Sequence, residues 1–343
     1  MSQELAVQPR IPISAEREQI ELPASSRVPA KILLSVPVAI ILALIVHWFS
    51  AKNEPENETR LYNLFLGEMF GASLLIAYLQ RFSAGLREWM KETCPIIGVA
   101  ILFLAILEII TAGLRWMPLL PMPYFPSPAG VLQSMINDRE LLFDSTWHSL
   151  ALLLGGYTLG VTIGLITGIC IGWFPLARYW GMPVLKVVGP IPATAWIPLA
   201  MIVSPSAMFS AIGLIALAVW FPVTMLTASG ISNTRASYLD VARTLGASRS
   251  YLIFRVAIPA AMPNIFLGLF MGLGASFLTL IVAETIGVKS GLGWYVTWAQ
   301  GWAEYGKVYA ALVIMAAFFS SIMSVLFKVR DHVLVWQKGV IKW

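Results

Sequence analysis

Residues Ser237-Tyr238-Leu239-Asp240-Val241-Ala242-Arg243-Thr244-Leu245-Gly246-Ala247-Ser248-Arg249 lie in the middle of a polar interruption, Gly230 to about Asn264, between two long apolar runs. An interruption of that length is too long for a turn and predicts structure of its own. Ser237-x-x-Asp240 has the form of a helix cap, and Tyr238, Val241, Ala242 and Leu245 follow at i, i+3, i+4 and i+7, the spacing of one helix face. Gly246 suits the left-handed position that ends a helix, and Ser248 then caps a second helix running to about Ala257, before Pro259. The expectation is helix, glycine turn, helix. With Arg243, Arg249 and Arg255 interspersed, such a unit suits either of two surfaces, lipid headgroups or a cleft in a partner protein.

The runs on either side decide the fold class. The chain is 58% hydrophobic and 12% charged, whereas a soluble domain carries about a quarter charged residues. Lipid must therefore cover much of it. A helix crosses the bilayer core with about 20 apolar residues, and eight segments qualify, near 31–49, 62–80, 95–114, 147–172, 183–203, 209–229, 266–286 and 306–328. The fold class is an all-α polytopic membrane protein.

Lys and Arg mark the cytoplasmic loops of such a protein. With the N-terminus inside, that side receives Arg10, Arg17, Arg27, Lys31, Arg81, Arg87, Lys91, Arg178, Lys186, Arg235, Arg243, Arg249, Arg255, Lys328, Arg330, Lys338 and Lys342. The outside receives only Lys52, Arg60, Arg115, Arg139, Lys289 and Lys307. Both termini are expected in the cytoplasm. Residues 1–30 lack the apolar core of a signal peptide and read as a flexible cytoplasmic tail. Because the net charge of +5 is dispersed between spans, it argues topology and not nucleic-acid binding. Cys94 and Cys170 have no disulfide or metal-knuckle spacing.

Gly156, Gly160, Gly164, Gly168 and Gly172 recur every four residues, a groove in one span where another backbone can approach closely. Trp48, Trp116, Trp147 and Trp173 sit at span ends, the level of the headgroups, and Trp294, Trp298 and Trp302 share one side of a short helix at the outer interface. The chain has no Gly-x4-Gly-Lys-Ser/Thr phosphate loop, no His-Glu-x-x-His and no Gly-x-Ser-x-Gly. Any ATP-driven work by this chain needs a second polypeptide.

The segment Asp240-Val241-Ala242-x3-Gly246-x9-Val256-x-Ile258-Pro259 closely resembles the cytoplasmic signature loop of binding-protein-dependent ABC importer permeases of type I, written Glu-Ala-Ala, three residues, Gly, nine residues, Ile-x-Leu-Pro. The spacing matches throughout, and Asp240, Val241, Val256 and Ile258 are conservative departures. The resemblance covers roughly Pro95 to the C-terminus. Pro190-Ile191-Pro192-Ala193-Thr194-Ala195-Trp196-Ile197-Pro198 and Val282-Ala283-Glu284 resemble the nitrate, sulfonate, taurine and bicarbonate branch.

The resemblance implies a six-helix permease core over 93–343, with its coupling loop at 230–264, preceded by an accessory two-helix membrane segment at 31–92. It implies the permease subunit of an importer for a small anion, in the bacterial inner (plasma) membrane. The implied partners are an ABC ATPase subunit, a periplasmic or lipid-anchored substrate-binding protein and a second permease subunit, either a copy or a paralogue. This chain would bind no cofactor; ATP and Mg belong to the ATPase. Asp240, Ala242, Gly246 and Pro259 would carry the coupling, with Arg243 and Arg249 as charged contacts. The stretch 115–146, with Pro118, Pro121, Pro123, Pro126 and Pro128, is either a stiff connector or, by resemblance, the meeting place for the binding protein.

An anion pathway asks for neutral donors, which singles out Thr194, Trp196, Ser276 and Thr279. Glu284 and Glu108 are ionisable groups within spans and so candidate functional sites, but an acid repels an anion, and a structural or gate-side hydrogen bond is the better role. Two other classes remain open. An ion-coupled secondary transporter predicts inverted repeats or broken helices with midplane polar clusters, and the sequence has no convincing repeat. A membrane-embedded enzyme would draw on Glu108, His148 and Glu284.

Overall fold

The computed structural model describes residues 29–50, 56–113, 119–120 and 123–337. The N-terminal tail, Lys52, Arg115, Trp116, Pro118, Pro121, Lys338 and Lys342 lie outside the described residues. The described part is helical and contains no strand. Its residues up to His47, with Asn63–Ile106, form one compact unit; those of Trp48–Tyr62, with those from Leu107 onward, form a second.

The first unit is built from α1 (Ala30–Ser50), most of α2 (Glu56–Leu79) and most of α3 (Ala84–Ala112). Gly98 allows α3 to pass close to the α1 backbone, since a Cβ there would lie 3.3 Å from the Ser35 carbonyl oxygen. An apolar groove of about 140 Å³ opens among Leu33, Pro37, Met69, Ile76, Trp89 and Cys94.

In the second unit α5 (Arg139–Trp173) lies along α8 (Ala207–Ser232). The glycine ladder is the reason. Added Cβ atoms at Gly156, Gly160, Gly164, Gly168 and Gly172 would lie 2.5–2.9 Å from the Cβ atoms of Ile215, Val219, Val223, Thr227 and Ile231 in turn. Every one of those partners is β-branched and also spaced by four, so a stiff ridge on α8 fills the groove on α5. Val219 and Val223 of the same ridge also meet Gly268 and Gly272 of α11 (Ile258–Ile286). Phe277 stacks on Phe319 of α13 (Tyr305–Val333) at 4.1 Å between centroids.

The order of these contacts fixes directions. Gly156 to Gly172 pairs with Ile215 to Ile231 in the same sense, so α5 and α8 run parallel. The chain between them must return through the membrane, a distance of at least about 24 Å at helical rise. It does so as α6 (Pro175–Val188), a 3₁₀ turn at Ala193–Trp196 and α7 (Ile197–Val203), two arms bent by 84°. The straight span expected near 183–203 is thus corrected to a broken one. Gly189-Pro190-Ile191-Pro192 explains the break, because neither proline has an N–H for a continuing helix. Among the described residues seven helices are long and apolar enough to cross a membrane, and the bent pair makes eight.

Two local expectations also need correction. Ser237 does not cap: the helix begins one residue earlier, as α9 (Ala236–Thr244), and its N-cap Arg235 makes no side-chain capping bond. Nor does the second helix stop before Pro259. Short α10 (Arg249–Tyr251) passes through a π turn at Leu252–Ala257 directly into α11, one run of 38 residues. The wider turn places Ile258 N–H on the Ile253 carbonyl just before Pro259, so the missing proline N–H falls where the run changes from π to α spacing.

The described part of the stretch 115–146 contains helix. Ser127 caps α4 (Pro128–Asn137) by accepting Gly130 N–H at 3.1 Å, and α5 starts at Arg139. The short outer helix is α12 (Leu292–Gly301); Trp294 and Trp298 stack with centroids 6.2 Å apart and pack inward, while Trp302 follows the helix end and is exposed.

Candidate functional site

The coupling unit forms where α8 ends. Leu245 closes α9, Gly246 takes φ +82°, and two bonds complete the turn: Gly246 N–H to Arg243 O at 2.9 Å and Ala247 N–H to Ala242 O at 3.0 Å. This is the paired-bond glycine cap that satisfies the last carbonyls of a helix. Ser248 Oγ then accepts Tyr251 N–H at 3.3 Å and starts the next helix, as expected from the sequence. Backbone bonds close the turn between the two helices, and α9 also lies against the π turn at Leu252–Ala257.

The packing of α9 explains what that rigidity presents. Leu239 and Ala242 are half-buried, whereas Tyr238, Val241 and Leu245 are exposed, Leu245 to 82%. Tyr251 and Phe254 continue the exposed apolar surface on the second helix. Asp240 and Arg243 pair across one helical turn at 3.1 Å, both exposed, and Arg249 and Pro259 are exposed as well. Of the sequence candidates, Asp240, Ala242, Arg243, Gly246 and Arg249 belong to this one unit; Pro259 stands at the root of α11. Leu245, Tyr251 and Phe254 are functional candidates that sequence reasoning missed, although the i, i+3, i+4, i+7 pattern contains Leu245.

Beneath α9 lies an open cavity of about 790 Å³, lined among others by Trp173, Arg178, Leu239, Arg243, Arg249 and Leu252. Arg178 is committed to the end of α5: Nε donates to Ile171 O at 3.3 Å and a terminal nitrogen to Gly172 O at 3.1 Å, closing carbonyls that the helix leaves open.

A second cavity, about 330 Å³, opens along the broken span. Its wall is apolar, with Ile191, Phe221, Met271 and Leu278, and its side-chain hydroxyls are those of Thr194 and Thr279. Two of the sequence candidates thus come together there. Three do not. Ser276 is fully buried and donates to Leu273 O of its own helix at 2.6 Å. Trp196 does not line the cavity, and its buried indole N–H has no partner among the described residues. Glu284 lies about one and a half turns along α11 from Thr279 of the cavity wall, 1% exposed, accepting Ser149 Oγ–H at 2.6 Å and Gly293 N–H at 2.8 Å.

At the end of the unit opposite α9, Asp138 accepts Tyr295 O–H at 2.8 Å and pairs with Lys307 at 3.1 Å; Lys307 also meets Glu304 at 2.8 Å and lies over the Trp298 ring at 5.0 Å. Burial first, then the bond to Asp138 and the nearby carboxylates, push the Tyr295 phenol well above its ordinary range, so it stays a donor. His148 pairs with exposed Asp144 at 3.3 Å. Among the described residues no group of three or more His, Cys, Asp or Glu side chains is placed to hold a metal ion.

Residues 160–334, which contain the glycine seam from Gly160 onward, the broken span, the coupling unit and α11–α13, match the family described as binding-protein-dependent transport system inner membrane component. The chain is 30% identical over 236 residues to the taurine transport system permease protein TauC of Escherichia coli, covering 67% of this chain and 86% of TauC. It is 26% identical to the nitrate import permease protein NrtB of Synechococcus elongatus over 72% of this chain and 89% of NrtB. SsuC of Bacillus subtilis, a permease assigned to aliphatic sulfonates transport, is 34% identical over 55% of this chain and 66% of SsuC. These relatives are transport subunits and not enzymes. The chain belongs to the family of binding-protein-dependent inner membrane components, as an ABC importer permease of the branch that holds these three relatives.

Proposed function

We propose that this chain is the membrane-spanning subunit of an ATP-driven importer for a small anion, coupled to a separate ATPase through residues 237–259. The observation that carries the coupling is the α9–α10 unit: a glycine turn locked by two backbone bonds, projecting Tyr238, Val241 and Leu245 away from the rest of the chain. Exposed apolar residues beside Arg243 and Arg249 fit a protein cleft, and a rigid unit transmits displacement where a flexible loop absorbs it.

The substrate class rests on the named functions of the relatives, taurine, nitrate and aliphatic sulfonates, all small molecules that carry an oxyanion group. Thr194 is the proposed donor of the pathway, with Thr279, whose hydroxyl donates to Ala275 O at 2.9 Å, beside it in a cavity lined by no charged side chain among the described residues. Hydroxyls in an apolar wall let an anion pass without holding it. The family match, and not the shape of the broken span, favours an importer over a secondary transporter. In the proposed orientation α9 faces the cytoplasm, and α4 and α12 face the substrate-binding protein outside. A second permease subunit completes the pathway; ATP and Mg are held by the ATPase.

Purification of the tagged chain from its native membrane in mild detergent tests this reading. A stoichiometric ATPase subunit in the eluate supports it. Its reproducible absence, with transport by the chain reconstituted alone, overturns it in favour of secondary transport.

A further inference from the structure

The run Arg249–Ile286 starts at the Ser248 cap and has Glu284 in its last turn, 38 helical residues or a rod of about 57 Å at ordinary helical rise. At its far end Glu284 does more than satisfy itself. Its carboxylate accepts Gly293 N–H, and Ser149 Oγ, which donates to that carboxylate, accepts Leu292 N–H at 2.9 Å. Leu292 and Gly293 are the first two residues of α12, and their N–H groups are two of those a helix start leaves open. The N-cap Gly291 has no side chain to offer and takes φ +102°; a Cβ there would strike the Glu284 carboxylate.

A serine or aspartate ahead of α12 caps a helix locally at little cost. Here the cap comes instead from α11 and α5, through a fully buried carboxylate, which is an expensive way to end a helix unless the link between elements matters. From α12 the connection continues, through Tyr295 and Trp298, to Asp138 at the start of α5 and Lys307 at the start of α13.

We propose that Glu284 is a positioning residue that makes α12 move with the α11 rod, so that displacement of the α9–α10 unit is delivered to the short helix at the opposite surface. The proposal rests on the importer reading and assigns Glu284 no contact with substrate.

The test uses the complete transporter in lipid nanodiscs, permease with its ATPase and substrate-binding protein, comparing wild type with Glu284→Ala and the milder Ser149→Ala. The clamp predicts that hydrogen exchange at Leu292 and Gly293 rises about tenfold or more in both variants. The transmission claim predicts basal ATP hydrolysis within about twofold of wild type, and stimulation by the loaded binding protein reduced at least about fivefold, the lower end of ordinary coupling between sites. Unchanged exchange overturns the clamp. Raised exchange with full stimulation overturns the transmission, as does a parallel fall of basal and stimulated rates, the mark of a merely structural role. Wild type that shows no stimulation at all overturns the importer reading itself, and this proposal with it. Should Glu284→Ala fail to fold, Ser149→Ala decides on the same criteria.

Discussion

The seam between α5 and α8 and the turn between α9 and α10 both depend on glycine, and they use different properties of it. Gly164 has helical backbone angles and no room: a Cβ would lie 2.9 Å from Val223 Cβ. Gly246 has all the room a side chain needs, with nothing within 4 Å of its Cβ position, and a backbone angle of +82° that L side chains rarely adopt. The seam is therefore a frame, closed by contact along its whole length. The turn is a joint closed by its own backbone bonds, with Tyr238, Val241 and Leu245 left for another molecule. Substitutions should separate the two: seam changes remove the folded protein, and turn changes leave it folded and disconnected.

The largest effect is expected at Gly160, where a Cβ would lie 2.6 Å from the Ala216 carbonyl oxygen. Gly160→Leu must push the α5 and α8 backbones away from each other, beyond the about 1–3 kcal/mol of ordinary overpacking, and should abolish the monodisperse peak in detergent size-exclusion chromatography. A normal peak would show the seam to be loose. Next comes Gly246→Val, strained by about 1–2 kcal/mol at positive φ. It should run as wild type on the column yet lose ATP-driven uptake in proteoliposomes, while Gly246→Asn, which tolerates that angle, retains uptake. Equal loss in both would move the cause from backbone shape to the side chain.

Leu245→Glu removes an 82% exposed apolar contact without touching the fold. ATPase affinity should fall roughly tenfold, about 1.4 kcal/mol, in a pull-down titration. The smallest effect is expected at Asp240→Asn, which breaks an exposed 3.1 Å pair with Arg243. Pairs of that kind contribute about 0–1 kcal/mol, so a melting temperature within error of wild type is predicted, and a large shift would mean that Asp240 has a partner outside this chain.

Much of the fold was legible because its signals are local. Apolar length marked the spans, the spacing of the glycines marked the groove, and Gly246 with Ser248 marked the joint. What the sequence did not show depends on who sits opposite. The ridge of Ile215, Val219, Val223, Thr227 and Ile231 is as regular as the glycine ladder it fills, but its register with that ladder is a tertiary fact. The 84° break was written in Pro190 and Pro192, yet hydropathy alone averages over a bend. In the pathway, Thr194 and Thr279 share a cavity that Ser276 does not line, although Thr279 and Ser276 both donate to carbonyls of their own helix. Glu284 stood out as an acid within a span; that its partners are Ser149 and the start of α12 required the fold. The apolar face of α9 was read from its period, but only the structure shows Tyr238, Val241 and Leu245 turned outward and Leu239 turned in.

The measurement that reaches the central claim most directly is photo-crosslinking in native membranes from a benzophenone amino acid placed at residue 245, with residue 166 as a control. Leu245 and Ile166 are both exposed apolar positions, at 82% and 58%, one on the coupling unit and one on the outward side of the α5 span. Coupling through the α9–α10 unit predicts a single strong adduct between position 245 and an ATPase chain, and none of that mass from position 166. Lipid adducts alone from position 245, with no ATPase at any level above the control, would mean that the α9–α10 unit lies on headgroups and that coupling does not pass through it.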